Sequence, residues 1–272
     1  MGKGREMKVR DLGDLPGPVA VYGGPVSNLQ ATRTLMDVLD AEGIPPEWRV
    51  CTGDVAAYCA DPGPVVALVR ARGGAVLAGN CERQLAAGAA ECGCGFADGS
   101  ACDAMSGAWW ERASAGMNEQ ARVWMAELPG ALTFSHHGRR VAALHGGATD
   151  IVRFLWPSSE DAAFEEEIEA LRRACGDVDV VLAGHCGIAF ERVVGGVRWV
   201  NAGSVGMPPH DGRPKTRWAV LDGDGVRFRR LSYDHEAAAS AMEAAGLVQG
   251  YQRTLRSGIW PSQDVLPPEL RR

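Results

Sequence analysis

Four short apolar runs in this chain end in the same way, on a glycine beside a residue able to bind a metal or move a proton. WRVCT (48–52) leads into Gly53-Asp54, and AVLA (75–78) into Gly79-Asn80. VAAL (141–144) leads into His145-Gly146, and VDVVLA (178–183) into Gly184-His185. Short apolar runs separated by amphipathic stretches are strands alternating with helices, so the chain belongs to the α/β class. Ligands of α/β sheets gather at the carboxyl ends of strands. The same feature therefore constrains fold and function together.

Between the runs the helical signals are local. A helix is expected from about Leu29 to Glu42, with Leu29, Leu35, Met36 and Leu39 on one face and Gly43 as its stop. It follows a strand at Val19–Tyr22 and a turn, Gly23-Gly24-Pro25-Val26, with Ser27 expected as the N-cap. DPGPVVALVRARGG (61–74) reads as a helix opened by proline and closed by glycine, and another is expected near Glu119 to Leu128. SSEDAAFEEEIEALRRACG (158–176) opens with a Ser158-x-x-Asp161 capping box, and HEAAASAMEAAG (235–246) is a last helix. Hairpins are expected around His136-His137, Gly195-Gly196 and Asp222-Gly223-Asp224-Gly225. His136 and His137 precede a turn and are expected to be exposed, whereas Trp109-Trp110 reads as a packing anchor. No linker, repeat or low-complexity tract divides the 272 residues. One domain is expected, with a Cys- and Gly-rich insertion at about 85–107.

Several classes of function are disfavoured. The net charge of −6 argues against a general nucleic-acid surface, which needs clustered Lys and Arg. No apolar run approaches membrane-spanning length. MGKGREMKVRDLGD, at the start, has no hydrophobic signal region, and Glu6 stands where a myristoylation motif wants Ser or Thr. A cytoplasmic protein is expected. No GxxxxGK[ST] or GxGxxG phosphate cradle is present.

Asp54, Asn80, His145 and His185 each have a plain structural reading as a cap, a turn residue or a core histidine. Together, each beside a glycine at a strand end, they read as a metal site. This oxygen and nitrogen set suits Mn, Fe, Zn or Ni and is too rich in nitrogen for Ca or Mg.

The order and spacing of Gly53-Asp54, Gly79-Asn80, His145-Gly146 and Gly184-His185, with NAGSVGMPPHDG (201–212) after them, resemble the calcineurin-like metallophosphoesterases, in their small bacterial and archaeal phosphodiesterase-type branch. The resemblance runs from about Val19 to Gly246. It implies a four-layer α/β/β/α sandwich of two mixed sheets flanked by helices. It also implies hydrolysis of phosphate esters at a pair of metals, with His185 and Asn80 as catalytic residues and Asn28 matching a family asparagine. In that family the first strand ends in Asp-x-His, and Gly-His-x-His follows a later strand. Here Gly24 and Val26 stand at the first pair and Gly187 at the second histidine, all on ligands of the first metal. The second metal's set survives as Asp54, Asn80, His145 and His185. One divalent transition metal per chain is therefore expected, acting on a small phosphodiester or nucleotide, with Asn28 and His210 as substrate contacts. Two alternatives are a non-hydrolytic metal- or ligand-binding protein and cysteine-assisted redox or sulfur chemistry.

Eight cysteines without a Cys-x-x-Cys pair complicate the site. Cys59, Cys81 and Cys186 lie beside surviving motifs, where as thiolates they could form a soft Zn or Fe site. Small buried residues filling the space of lost ligands are the alternative. Cys92, Cys94 and Cys102 in the insertion could hold Zn or a small iron–sulfur cluster with Cys81, form a redox pair, or remain plain thiols.

Overall fold

The computed structural model describes residues 7–223 and 225–272. Residues 1–6, part of the segment expected to hold no signal region, and Asp224 of the last expected hairpin turn lie outside the described residues. In chain order the first elements are β1 (Val9–Asp14), β2 (Val19–Tyr22), α1 (Leu29–Ala41), β3 (Arg49–Cys51), α2 (Pro62–Arg72), β4 (Ala75–Val76) and α3 (Asn80–Ala87). Next come α4 (Ala101–Ala115), α5 (Glu119–Glu127), β5 (Ala131–His136), β6 (Arg139–Leu144), α6 (Asp161–Cys175) and β7 (Val180–Ala183). The chain ends with β8 (Ala189–Val194), β9 (Val197–Ala202), β10 (Thr216–Asp222), β11 (Gly225–Leu231), α7 (His235–Ala244) and α8 (Tyr251–Ser257).

Two mixed sheets result, one in the order β1-β5-β6-β7-β9-β8 and the other β11-β10-β2-β3-β4. The period of two along each strand builds the layers. Val19 and Val21 of β2 face inward to meet Val141 and Ala143 of β6 and Val180 and Leu182 of β7. Ala20 and Tyr22 face outward, into a core with Leu35, Met36 and Leu39 of α1. Ala142, Leu144, Val181 and Ala183 face out on the other side, against Phe164, Ile168 and Leu171 of α6. Helix, sheet, sheet and helix thus form the expected four layers. Among the described residues no helix is long and apolar enough to cross a membrane.

Local signals were displaced where tertiary contacts set the backbone. Ser27 adopts a left-handed φ of 60° and its Oγ accepts from Ala57 N. The N-cap of α1 is instead Asn28, whose Oδ1 accepts from Ala31 N at 3.0 Å. The Ser158 capping box does not form, because α6 starts at Asp161 behind an N-cap Glu160 that makes no side-chain bond. The irregular part of the expected insertion is only 88–100, since α3 runs to Ala87 and α4 begins at Ala101. Trp109 and Trp110 are buried as anchors. His136 is buried, not exposed, because its ring donates to the Leu15 carbonyl at 2.7 Å; only His137 faces solvent. The strand β1 and the helix α8 had no periodic signal.

One buried charge ties the sheet edge together. The Arg49 guanidinium donates to the carbonyls of Ile44 and Arg72 and to Asp40, at a side-chain exposure of 1 %. Arg49→Leu leaves two buried carbonyls without donors and should cost about 2–4 kcal/mol. Thermal unfolding followed by circular dichroism should show a midpoint lower by several degrees, and an unchanged midpoint would contradict this role.

Candidate metal centre

The carboxyl ends of β2, β3, β6 and β7 meet at one rim of the sandwich, laced by main-chain bonds. Gly24 N donates to Gly53 O at 3.0 Å, Gly184 N to His145 O at 2.7 Å, and Val205 N to Gly23 O at 2.8 Å. Asp54 and His185 both hold left-handed backbone, with φ of 55° and 62°, a conformation that costs a residue with a Cβ and recurs at functional sites.

Asp54, His145 and His185 offer ligand atoms that all lie within 4.8 Å of one another. His145 is the hub. Its Nδ1 lies 2.6 Å from the Thr52 carbonyl, which can only accept, so Nδ1 carries the proton and Nε2 presents its lone pair. Around that Nε2 stand Asn80 Oδ1 at 3.1 Å, His185 Nδ1 at 3.2 Å and Asp54 Oδ2 at 3.3 Å. Asn80 is oriented by its own amide nitrogen, which donates to the Cys92 carbonyl at 3.2 Å. Asp54 Oδ1 is buried without a hydrogen-bond partner.

This arrangement crowds acceptors around one point, which a cation or a proton must occupy. A cation held at about 2.0–2.2 Å by N and O ligands separates neighbouring ligands by about 3.0–3.4 Å, and the three spacings from His145 Nε2 match. Without a cation a proton does the work. Burial opposes charge on His145, but the Asp54 carboxylate outweighs it and raises the imidazole pKa. Burial would raise Asp54, yet the charge and hydrogen bond of His145 hold its carboxyl down to about 2. Burial, with His145 beside it, holds His185 down at about 3, so that ring is neutral. A metal binding here would displace the His145 proton.

A carboxylate absent from the sequence expectations supports the loop. Glu82 is fully buried and accepts from the amides of Asp54, Val55 and Gly79 at 2.8, 2.8 and 2.9 Å. The signal for it was present, as the Gly79-x-x-Glu82 half of a capping box at the start of α3. Phe154 is a second missed residue. It packs on His185 at 4.3 Å between ring centroids and stacks on Trp156 at 5.3 Å.

Other expected site residues stand elsewhere. Asn28 is buried and donates to Gly206 O and the Tyr233 hydroxyl besides capping α1, so it ties loops together and is no substrate contact. His210 is also buried and accepts from the Trp260 amide at 2.8 Å; it positions Trp260 and does not face the cleft. The cysteines form no ligand set among the described residues. Cys59 and Cys81 pack outside the five-stranded sheet, and Cys186 outside the six-stranded one. Burial pushes all three thiols up, Cys186 to about 12. Cys92 and Cys94 are joined as a disulfide, and Cys102 is a free, buried thiol. Cys94, Cys102 and Cys186 line the cleft beside Asp54 and His185, and Cys81 is hydrogen-bonded to Asp54. Yet among the described residues the group whose ligand atoms converge is Asp54, His145 and His185, with no cysteine in it. The expectation of Zn or Fe at these cysteines is corrected to that extent.

A four-layer sandwich with an Asp-Asn-His-His cluster at its strand ends defines a metallophosphoesterase architecture. A family model of the calcineurin-like phosphoesterase superfamily domain matches residues 27–224. The chain belongs to that superfamily of metal-dependent phosphoric ester hydrolases. A hypothetical protein from Pyrococcus horikoshii has a similar structure, with TM-score 0.71 and 16% identity over 89% of this chain and 98% of that one. A metallophosphoesterase from Sphaerobacter thermophilus is similar at TM-score 0.66 and 17% identity, over 90% of this chain and 100% of that one. At these identities the likeness shows the fold. Comparison with curated proteins yields no match.

If Glu82 acts by holding the Asp54 loop, Glu82→Gln should weaken metal affinity about 10–100-fold, the usual cost of removing a group that orients a ligand. Competition with a chromogenic chelator measures this. Unchanged affinity in a folded variant would show that the loop needs no such support.

Proposed function

We propose that this chain hydrolyses a small phosphodiester or nucleotide at one transition-metal ion, Mn, Fe, Zn or Ni, held by Asp54, His145 and His185 with Asn80 as fourth donor. The observation that supports it is the convergence of Asp54 Oδ2, Asn80 Oδ1 and His185 Nδ1 on the lone pair of His145 Nε2. Gly24, Val26 and Gly187 line the cleft on the Asp54 side and offer no ligand atom. That agrees with a mononuclear reading, in which the first metal's ligands are gone.

A bound divalent ion supplies Lewis acidity toward a phosphoryl oxygen and lowers the pKa of water. The side chains supply the rest. Asp54 brings the negative charge that holds the cation, and His145 is locked in one tautomer by Thr52. Asn80, fixed through its amide nitrogen, brings a neutral oxygen. His185 lines the cleft as a neutral imidazole, suited to pass a proton to a leaving oxygen. We place the protein in the cytoplasm, acting on a small phosphorylated molecule and not on nucleic acid or membrane. The acidic net charge supports this.

Metal analysis of the purified protein should find one equivalent per chain, abolished by His145→Ala. Two equivalents would overturn the mononuclear reading. Generic aryl phosphodiesters should turn over slowly even when bound, because a second ion normally stabilises both attacking and leaving oxygens in the transition state. Brisk turnover with one metal bound would show that the first half-site was never needed.

Restoring the family pattern with Gly24→Asp, Val26→His and Gly187→His should raise metal content and activity together. The gain comes at a structural cost, because a Cβ on Gly24 meets Ser204 Oγ at 2.8 Å and its φ is +48°. Raised metal content without raised activity would separate ligand loss from rate.

A further inference from the structure

The cleft that opens beside Asp54 and His185 is built from rings. Tyr58, Phe96, Phe154, Met207, Tyr251 and Trp260 form its walls, and among the described residues no Lys or Arg lines it. The basic groups of β10 and β11 are committed elsewhere. Arg217 and Arg230 both turn to Asp211, at 3.8 and 2.5 Å.

The walls are fixed in advance of any ligand. Tyr58 is wedged between Trp109 and Tyr251, at 4.6 and 4.7 Å between centroids, and Phe154 is held between Trp156 and His185. Two of the cleft's polar groups are already bonded. Trp260 Nε1 donates to Pro208 O at 2.7 Å, and Ser204 Oγ donates to Gly24 O while accepting from Met207 N. Such a surface recognises shape and apolar area above all.

Charge then narrows the ligand further. With neutral histidines, a divalent ion and the Asp54 carboxylate leave one net positive charge at the head of the cleft. A phosphodiester, with a single negative charge, neutralises it. A phosphomonoester brings two charges and a polyphosphate more, and no cationic side chain lines the cleft to receive the excess. Uncompensated charge in a ring-lined, low-dielectric cleft is strongly disfavoured. Glu82, whose carboxyl accepts from the Asp54 amide at 2.8 Å, adds negative potential on the same side, so a single ligand charge is the most that the site can balance.

We propose that this cleft selects singly charged phosphodiesters bearing an uncharged apolar or aromatic ester group, and rejects monoester dianions and polyphosphates. This rests on the single-metal phosphoesterase reading and narrows it.

The test is equilibrium binding by titration calorimetry to metal-loaded protein at about pH 8.5, using two anions whose organic groups are held by P–C bonds and cannot be hydrolysed. Methyl(phenyl)phosphinate carries one charge and phenylphosphonate two, with the same ring. The singly charged ligand should bind at least about tenfold tighter. Phe96→Lys, which puts a cation at the cleft wall, should reduce or reverse that ratio, and Phe96→Leu should leave it unchanged. Trp260→Ala should weaken methyl(phenyl)phosphinate several-fold more than dimethylphosphinate, which lacks the ring. Equal or tighter binding of phenylphosphonate by the wild type would overturn the proposal. So would failure of both anions to bind a protein carrying its metal, or a ratio in Phe96→Lys like that of the wild type. The metal reading fails separately, by a purified protein that takes up no metal.

Discussion

The short hydrogen bond from His145 to the Thr52 carbonyl is the contact on which the rim of this sandwich depends. Thr52 follows β3 in one sheet and His145 follows β6 in the other, so a single bond spans the two sheets and fixes the tautomer of the central imidazole. It needs Gly53 between them. There φ is +96°, and a Cβ would stand 2.9 Å from His145 Nδ1, so any side chain would wedge the ring away from its acceptor. Backbone shape and side-chain chemistry are set by the same residue.

Two buried carboxylates carry out matching tasks on either side of that bond. Glu82 gathers amides of the loop after β3, and Glu167 of α6 gathers the amides of Ala148 and Thr149 in the loop after His145. Their charges have different fates. Glu167 is paired with Arg153 at 2.7 Å, whereas burial and the charge of Asp54 raise Glu82. Negative potential therefore collects on the Asp54 side, where it draws a cation.

The strand ends were legible because periodicity and glycine are local signals, and local signals placed Asp54, Asn80, His145 and His185 on the correct turns. What eluded the sequence was decided by contacts between distant segments. Trp260 reaches the cleft from the far end of the chain, and nothing about its neighbours announces that. Asn28 resembles a ligand-facing asparagine but caps a helix, since the left-handed turn at Ser27 hands it that position. The cysteines mislead for a geometric reason. Cys81 and Cys186 both stand beside the site, Cys81 hydrogen-bonded to Asp54 and Cys186 in the cleft wall, yet the two pack into different layers, so their thiols do not converge on one ion.

The left-handed backbone at the rim bears on how such a site can decay. Asp54 and His185 keep side chains at φ values that glycine adopts at little cost, a penalty of roughly 1 kcal/mol each. Gly24 and Gly187, with φ of 48° and 72°, occupy the same kind of position already relaxed. Once a ligand at such a place stops being useful, mutation to glycine is stabilising, so drift runs downhill toward an empty turn and uphill away from it. In the mononuclear reading proposed here, the first half-site has largely descended that slope. Of the three vacated positions, Val26, β-branched at φ 42°, is the one still holding strain.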